Sequence, residues 1–305
     1  MSLAQAVQSE RSTEGQGNPW LLAARPRTLA AAIVPVMVGT AFAAQIGEWQ
    51  AIPAALCLIF ALLIQIGTNY ANDYFDFLKG ADTAERLGPT RVTSAGLVSI
   101  KSMRRAIGVV FGLAFLIGLN LIFYGGWWLV VIGALSILFG LAYTGGPFPL
   151  AYNSLGDLFV FVFFGLIAVG FTFYVQAGYF TPEVWLGGTA VGALATNILV
   201  INNLRDCETD AKAGKKTLVV RLGKPFSHVQ FGAAFLLAGG VPLLLLIRGA
   251  GFSVLLPWIL APLALRIFFR VRTAESGEVY NQLLGKMGAF LILYGLFFSI
   301  GILVS

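Results

Sequence analysis

The sequence predicts an all-α polytopic membrane protein, a bundle of nine transmembrane helices, on the evidence of its hydropathy, its low charge and the placement of its basic residues. The chain has 305 residues, of which 58% are hydrophobic and 11% charged, and its mean hydropathy is +0.83. Soluble domains carry about 25% charged residues. Because so few charges cannot cover a water-facing surface, we expect lipid to surround most of the chain. Cys57 and Cys207 suggest no disulfide framework.

Nine apolar stretches approach the ~20 residues that a spanning helix needs. Proline and glycine interrupt several of them, which bundled membrane helices tolerate because neighbours satisfy the freed backbone groups. Residues 1–18 are polar and are predicted to form a disordered tail, whereas residues 19–305 are predicted to form one transmembrane domain. The nine stretches are approximately 28–47, 51–70, 106–124, 126–144, 155–178, 184–204, 229–248, 252–270 and 286–304.

Basic residues alternate regularly with these stretches. Of the 20 Lys and Arg residues, all but Arg248 fall on one side of the membrane if the N-terminus is cytoplasmic. The excess of basic residues in cytoplasmic loops therefore predicts a cytoplasmic N-terminus and an external C-terminus. The loops after the second and sixth stretches should then form a cytoplasmic cap. We expect an integral protein of the plasma (inner) membrane.

The end of the second stretch carries the first of two acidic segments. Asp73 and Asp76 are three residues apart, so they share one face if the helix continues. Asn69 lies one turn earlier on the same face. Asp82 follows Gly80, where the helix is expected to end.

The end of the sixth stretch repeats this pattern. Asp206 and Asp210 are four residues apart, and Asn202 precedes Asp206 by one turn. Gly214 is expected to end this helix. Because both acidic segments are predicted on the same side of the membrane, the two stripes can face each other.

Two facing stripes of carboxylates would form an oxygen-rich site. Mg²⁺ is held in proteins by a few carboxylates, with phosphates and water completing its shell. Neighbouring Arg and Lys residues suit the remaining phosphate oxygens. The combination indicates a metal–diphosphate complex. Solvated loop charges are the alternative, which fits a single Asp better than two stripes at helical spacing.

For a few other polar residues the sequence gives weaker indications of a functional role. Tyr143, Tyr152 and Asn153 flank a Gly-Gly-Pro turn and could line a pocket, although turn packing is the commoner role. Asp157 falls on the acidic face, where it could serve the site or complement a helix N-terminus. His228, the single histidine, is more typical of a helix boundary than of a catalytic base.

Five short motifs accompany these stripes. They are NDYFD at 72–76, DCETD at 206–210, ARPRT at 24–28, GPTR at 88–91 and GKKTL at 214–218. Together they resemble the UbiA superfamily of intramembrane prenyltransferases over nearly the whole chain. Within it, the resemblance is to the branch that prenylates 1,4-dihydroxy-2-naphthoate in menaquinone biosynthesis. Many superfamily members have Asp at the position of Gly80. The 1,4-dihydroxy-2-naphthoate branch is similar to this sequence there, and whether Asp82 is a ligand stays open.

The resemblance implies a reaction and roles for residues. A polyprenyl group would pass from polyprenyl diphosphate to 1,4-dihydroxy-2-naphthoate with decarboxylation, giving demethylmenaquinol, with Mg²⁺ as cofactor. The catalytic and metal residues would be Asp73, Asp76, Asp206 and Asp210, with Asp82 as a further possible metal ligand. The substrate-binding candidates are Asn69, Asn72, Arg86, Arg91, Tyr143, Asn202, Arg205, Lys215 and Lys216.

Alternatives stay open at this stage. The acceptor could be 4-hydroxybenzoate, homogentisate or a tetrapyrrole, and the donor could carry a phytyl chain. A secondary transporter also has many helices and buried acids, but its acids usually lie near the bilayer midplane at broken helices. Besides the substrates, we expect membrane lipid and no nucleic acid as a partner.

Overall fold

The structure, a computed structural model, describes residues 18–81 and 87–305, and these ranges form helices and no strand. A short 3₁₀ turn, Pro26–Thr28, joins the first two helices. The helices are α1 (Pro19–Ala24), α2 (Ala30–Gln45), α3 (Ala51–Leu78), α4 (Ile100–Gly125), α5 (Leu129–Ala142), α6 (Gly156–Ala177), α7 (Pro182–Lys212), α8 (Leu218–Ile247), α9 (Phe252–Arg272) and α10 (Gly277–Val304).

The membrane character predicted from hydropathy is confirmed. Seven of these helices, α3, α4 and α6 to α10, are long and apolar enough to cross a membrane. The segment from α1 through α2 bends by 50° and would be an eighth span if it counts as one. With only 14 residues, α5 is shorter, so the predicted count of nine spans stays a prediction. The predicted tail lies almost wholly in residues 1–17, outside the described ranges.

Both acidic segments are helical, as the spacing predicted. The α3 helix continues eight residues past the apolar stretch that ends at residue 70 and stops at Leu78, just before Gly80, where the sequence predicted its end, so Asp73 and Asp76 lie in its last turns. In the same way α7 continues to Lys212 and includes Asp206 and Asp210. Gly80 and Gly214 follow these helix ends with φ of 64° and 74°, a left-handed conformation that glycine adopts without a Cβ clash.

The central helix of the bundle is α7. Of its most apolar stretch 78% is buried, compared with 22% for α3, so α7 is surrounded by protein whereas α3 has a lipid-facing side. A Cβ on Gly192 would lie 2.5 Å from the Phe161 carbonyl oxygen, and one on Gly165 would lie 2.6 Å from the Gly192 Cα atom. Such small residues let membrane helices pack at backbone contact. Residues Phe161–Ile167 of α6 form a π-helical turn at this contact.

Candidate active site

The two acidic segments meet at one cation. The Lys215 Nζ atom lies 3.4 Å from an Asp76 carboxylate oxygen and 3.6 Å from an Asp210 oxygen. Lys215 follows the end of α7, where the chain turns back toward α8. The ammonium therefore joins the C-terminal ends of α3 and α7, the two ends that the sequence placed on one face.

Asp76 is the most heavily bonded carboxylate of this cluster. It is 1% exposed. Arg91 Nη2 donates to one oxygen at 2.9 Å, and the Tyr152 hydroxyl donates to the other at 2.8 Å. A buried carboxylate is tolerated where cations and hydrogen-bond donors surround it, and Asp76 has both.

Tyr152 lies between two lysines. Its ring centroid is 4.4 Å from Lys79 Nζ and 4.9 Å from Lys215 Nζ, which are cation–π distances. Lys79 Nζ also donates to the Thr144 carbonyl oxygen at 2.6 Å. Burial lowers the pKa of the Lys79 ammonium, the Asp76 carboxylate opposes this, and the nearby Lys215 charge lowers it further. Lys79 was not among the predicted site residues, and Tyr152 was named only as a residue that could line a pocket.

The other two predicted catalytic carboxylates have different partners. Asp73, 2% exposed, accepts hydrogen bonds from the backbone amides of Val92 and Thr93 at 3.1 and 3.0 Å. It thereby fixes the segment that follows α3, the first acidic helix, against α3 itself. Asp206 accepts two hydrogen bonds, at 2.8 and 2.7 Å, from the guanidinium of Arg205.

No group of three or more His, Cys, Asp and Glu side chains is close enough to hold a metal ion in the ranges 18–81 and 87–305. Asp82 and Arg86 lie outside the described residues. The chemistry of the donors nevertheless fits a hard cation, because Asp76 and Asp210 already hold a cationic nitrogen between carboxylate oxygens, the ligand type that Mg²⁺ takes.

Asn72, one turn before Asp76 in α3, lines a cavity of about 170 Å³. A single water needs only about 10–15 Å³ of such volume, so the cavity can hold a much larger molecule. Aromatic rings, amides, hydroxyls and one guanidinium line it. The lining residues are Arg25, Thr28, Ala31, Ile64, Gln65, Thr68, Asn69, Asn72, Ser136, Phe139, Gly140, Tyr143, Phe159, Val160, Phe163, Phe164, Ala195, Ile198, Leu199 and Asn202.

Four of the predicted substrate-binding residues line this cavity: Asn69, Asn72, Tyr143 and Asn202. Asn72 accepts a hydrogen bond from the Thr144 hydroxyl at 2.9 Å, and Asn202 donates to the Ile198 carbonyl within its own helix. The amides are thus oriented by the protein while they face the open space.

The remaining predicted basic residues lie elsewhere. Arg91 binds Asp76, as described above. Arg205 contacts Asp206 and donates to Asn281 Oδ1 at 2.7 Å. Lys216 has an exposed side chain, and its backbone amide donates to the Tyr152 carbonyl oxygen, which orders the Lys215 turn. Arg25, in contrast, was counted among the basic residues and in the ARPRT motif but was not predicted as a site residue, yet it lines the cavity.

A bundle of apolar helices that encloses a cavity beside a carboxylate–ammonium cluster defines an integral membrane protein with an internal site. The chain belongs to the UbiA prenyltransferase family, whose profile matches residues 32–299.

Individual relatives and structures agree with this assignment. The chain is 38% identical to 1,4-dihydroxy-2-naphthoate octaprenyltransferase of Mycobacterium tuberculosis, over 91% of this chain and 94% of the relative. It is 37% identical to the Escherichia coli protein of the same name, over 94% and 95%. The fold is similar to that of a UbiA homolog from Archaeoglobus fulgidus bound to DMAPP and Mg²⁺, with a TM-score of 0.62, 16% identity and coverage of 93% of this chain and 100% of the other.

Proposed function

We propose that this protein transfers a polyprenyl group from polyprenyl diphosphate to 1,4-dihydroxy-2-naphthoate, with loss of the carboxylate, to give demethylmenaquinol for menaquinone biosynthesis. The observation that carries the proposal is the identity of 38% and 37% to two proteins named for this acceptor, over more than nine-tenths of the chain. The cluster of carboxylates and cations beside a cavity partly lined by aromatic rings supports it, since the reaction needs a diphosphate site next to a ring site.

Asp76 and Asp210 are the side chains best placed to hold Mg²⁺, because they converge on one cation from two helices. Asp73 and Asp206 are further ligand candidates that would first exchange their present partners, and Asp82 is another. Bound Mg²⁺ would neutralise charge on the diphosphate. Lys215 and Arg91 lie beside Asp76 and would contact diphosphate oxygens, with Lys79, Arg86, Arg205 and Lys216 as further contacts.

The chemistry is an electrophilic substitution on an aromatic ring. The bond between the allylic carbon and the diphosphate oxygen breaks, and the electron pair leaves with diphosphate. The electron-rich ring carbon that bears the carboxylate then attacks the allylic cation. Its bond to the carboxylate breaks, CO₂ leaves, and the electron pair of that bond returns to the ring. Phe139, Phe159 and Phe163 can stabilise the cation through their ring faces and exclude water that would quench it.

The orientation in the membrane is part of this proposal. The N-terminus and the cluster at the ends of α3 and α7 would face the cytoplasm, the bundle would cross the plasma membrane nine times, and the C-terminus would lie outside. The loops after α3 and α7 would cap the site. Water-soluble acceptor would then enter from the cytoplasm, and the prenylated product would stay in lipid.

The proposal is tested with purified protein, Mg²⁺, octaprenyl diphosphate and 1,4-dihydroxy-2-naphthoate, with products analysed by mass spectrometry. The expected product is the prenylated, decarboxylated quinol, and EDTA should abolish it. Prenylation of 4-hydroxybenzoate or homogentisate instead would refute the acceptor but keep the reaction class. The absence of prenylation with any aromatic acceptor would overturn the proposal.

A further inference from the structure

The start of α8 and the end of α9 meet at the end of the bundle that carries the acidic cluster. A Cβ on Gly232 of α8 would lie 3.0 Å from the Phe268 ring of α9, so the two helices are in contact there. His228 lies one turn before Gly232 on the same face of α8, and Arg272 lies one turn after Phe268 on the same face of α9. Because the two helices are antiparallel, His228 and Arg272 lie on the same side of this contact.

The His228 side chain has a polar atom that no described residue satisfies. Its Nε2 atom is shielded from solvent and has no hydrogen-bond partner within residues 18–81 and 87–305. Buried polar atoms in folded proteins nearly always have a partner, so each exception calls for an explanation. The charges of Arg272 and of Lys224, which lies one turn before His228 on α8, both act on the imidazole. A group that accepts a hydrogen bond from His228 beside these two cations is therefore favoured if it is anionic.

The Arg272 guanidinium is held close to α8. Its central carbon lies 5.7 Å from the centroid of the Phe268 ring, a cation–π distance. Since that ring packs on Gly232, the guanidinium stays near the junction of the two helices. Among the described residues, none accepts a hydrogen bond from it or forms an ion pair with it. Its planar pair of N–H donors, which matches a phosphate, is thus available to a ligand.

The surface around this junction is strongly positive. Arg266 and Arg270 lie one turn apart on α9, and their side chains are exposed, as are those of Arg272 and Lys224. In the part of the chain that the structure describes, none of the four cations forms an ion pair with a carboxylate. Glu275, three residues after Arg272, is exposed and forms none either. The four cations can therefore attract a bound anion.

Exposed apolar side chains adjoin these cations. They are Phe226 and Val229 on α8 and Leu265 and Phe269 on α9. Cations and exposed apolar side chains together, at the end of two membrane helices, fit an amphiphile with an anionic head. Basic pockets between membrane helices bind the headgroups of anionic lipids. A zwitterionic phospholipid fits less well, because its own ammonium would meet the same cations.

We propose that the junction of α8 and α9 is a binding site for an anionic phospholipid, with Lys224, His228 and Arg272 on the phosphate and Phe226 and Phe269 against the acyl chains. The guanidinium supplies two parallel hydrogen bonds to the phosphate, and the imidazole supplies one from Nε2. The site is separate from the acidic cluster, and the inference does not depend on the proposed function.

Native mass spectrometry of the purified protein in detergent tests the proposal, with phosphatidylglycerol and phosphatidylcholine of the same acyl chains as probes. The wild-type protein should bind phosphatidylglycerol about 10-fold more tightly, since hydrogen bonds to a charged group distinguish the two lipids. The double variant Lys224→Gln/Arg272→Gln should weaken the binding of phosphatidylglycerol roughly 10- to 100-fold for the same reason. Its binding of phosphatidylcholine should stay as in the wild type.

Arg104→Gln/Arg105→Gln is the matched control, because it removes two exposed cations from the start of α4, at the same end of the bundle. It should change the binding of phosphatidylglycerol by less than about fivefold, as expected for exposed charges outside the site. Equal weakening by the two double variants would overturn the proposal.

His228→Leu removes the imidazole without removing an exposed cation. It should weaken the binding of phosphatidylglycerol roughly 10-fold, and it decides the question if the Lys224→Gln/Arg272→Gln variant does not fold. Unchanged binding in His228→Leu would overturn the proposal. A wild-type protein without preference for phosphatidylglycerol would also overturn it and leave these cations to a partner of another class, such as an acidic protein segment.

Discussion

At the scale of single residues, the site depends on carboxylates that share their partners. Asp76 accepts from Arg91 and Tyr152 and shares Lys215 with Asp210. Because the group is buried, removing one partner leaves another uncompensated, which costs more than the contact itself is worth. The effects of substitutions in this cluster should therefore not be additive.

Tyr152→Phe distinguishes the contribution of the Tyr152 hydroxyl from that of its ring. The variant loses the 2.8 Å hydrogen bond to Asp76 but keeps the ring between Lys79 and Lys215. A hydrogen bond to a charged group is worth about 1.5–3 kcal/mol, so kcat/KM for octaprenyl diphosphate should fall roughly 10- to 100-fold.

Tyr152→Leu, which also removes the ring, should lose more activity than Tyr152→Phe under the same conditions. Steady-state kinetics over a range of donor concentrations measures both variants. Wild-type kinetics for Tyr152→Phe would show that the hydroxyl does not position Asp76 for the reaction.

The sequence predicted the direction of a side chain where helical spacing fixes it. It did not predict the hydrogen-bond partners that a loop supplies. The spacing of Asp73 and Asp76 predicted one helical face, and Asp76 does meet the second acidic segment. Asp73 binds instead to the Val92 and Thr93 amides. That contact depends on how the following segment folds back, which has no periodic signal. Arg25 was missed because its neighbours Ala24 and Thr28 are held by hydrogen bonds from Gln65 and Asn69, which lie far away in sequence.

At the scale of helices, hydropathy located the apolar stretches but not their ends. The α3 and α7 helices run past their apolar cores into the acidic segments, since the glycines that end them, Gly80 and Gly214, lie beyond the last carboxylates. The α1 helix and its 3₁₀ turn were not predicted, because six residues are too few to produce a hydrophobic period.

The contact between α6 and α7 makes a prediction about stability. Gly192→Ala places a Cβ 2.5 Å from the Phe161 carbonyl oxygen, a backbone atom that cannot move away easily. Overpacking of this kind costs about 1–3 kcal/mol, so the Tm in detergent should fall by several degrees.

Gly112→Ala is the matched control for this contact. Gly112 lies in α4 with no atom within 4 Å of the added Cβ. Alanine also favours helix more than glycine does, so this variant should keep or raise the Tm. Thermal unfolding followed by fluorescence measures both proteins. An unchanged Tm for Gly192→Ala would mean that the two helices are not packed at backbone contact.

At the scale of the whole molecule, the number of spans decides which side each terminus occupies. The α5 helix has 14 residues, about 21 Å at 1.5 Å per residue, which is shorter than the ~30 Å hydrocarbon core. If α5 crosses with help from its flanking residues, the C-terminus lies outside. If it does not cross, the orientation of everything after it reverses.

Alkaline phosphatase fusions test the orientation, because the enzyme is active only outside the cytoplasm. A fusion after Ser305 should be active, and a fusion after Arg272, at the end of α9, should be inactive. The basic residues Arg266, Arg270 and Arg272 near that second point predict a cytoplasmic position. The reverse pattern would contradict the nine-span topology.

The central claim is that the acidic ends of α3 and α7 form one metal–diphosphate site, and ligand binding tests it most directly. Titration calorimetry with the unreactive analogue geranyl S-thiolodiphosphate is compared with and without Mg²⁺ for wild type, Asp76→Asn, Asp210→Asn and the double variant. Glu208→Gln, an exposed acid on α7, is the matched control. We predict that Mg²⁺-dependent binding is lost in either single variant, not further weakened in the double, and kept in Glu208→Gln. Mg²⁺-dependent binding that survives in Asp210→Asn, or is absent from the wild type, would contradict the claim.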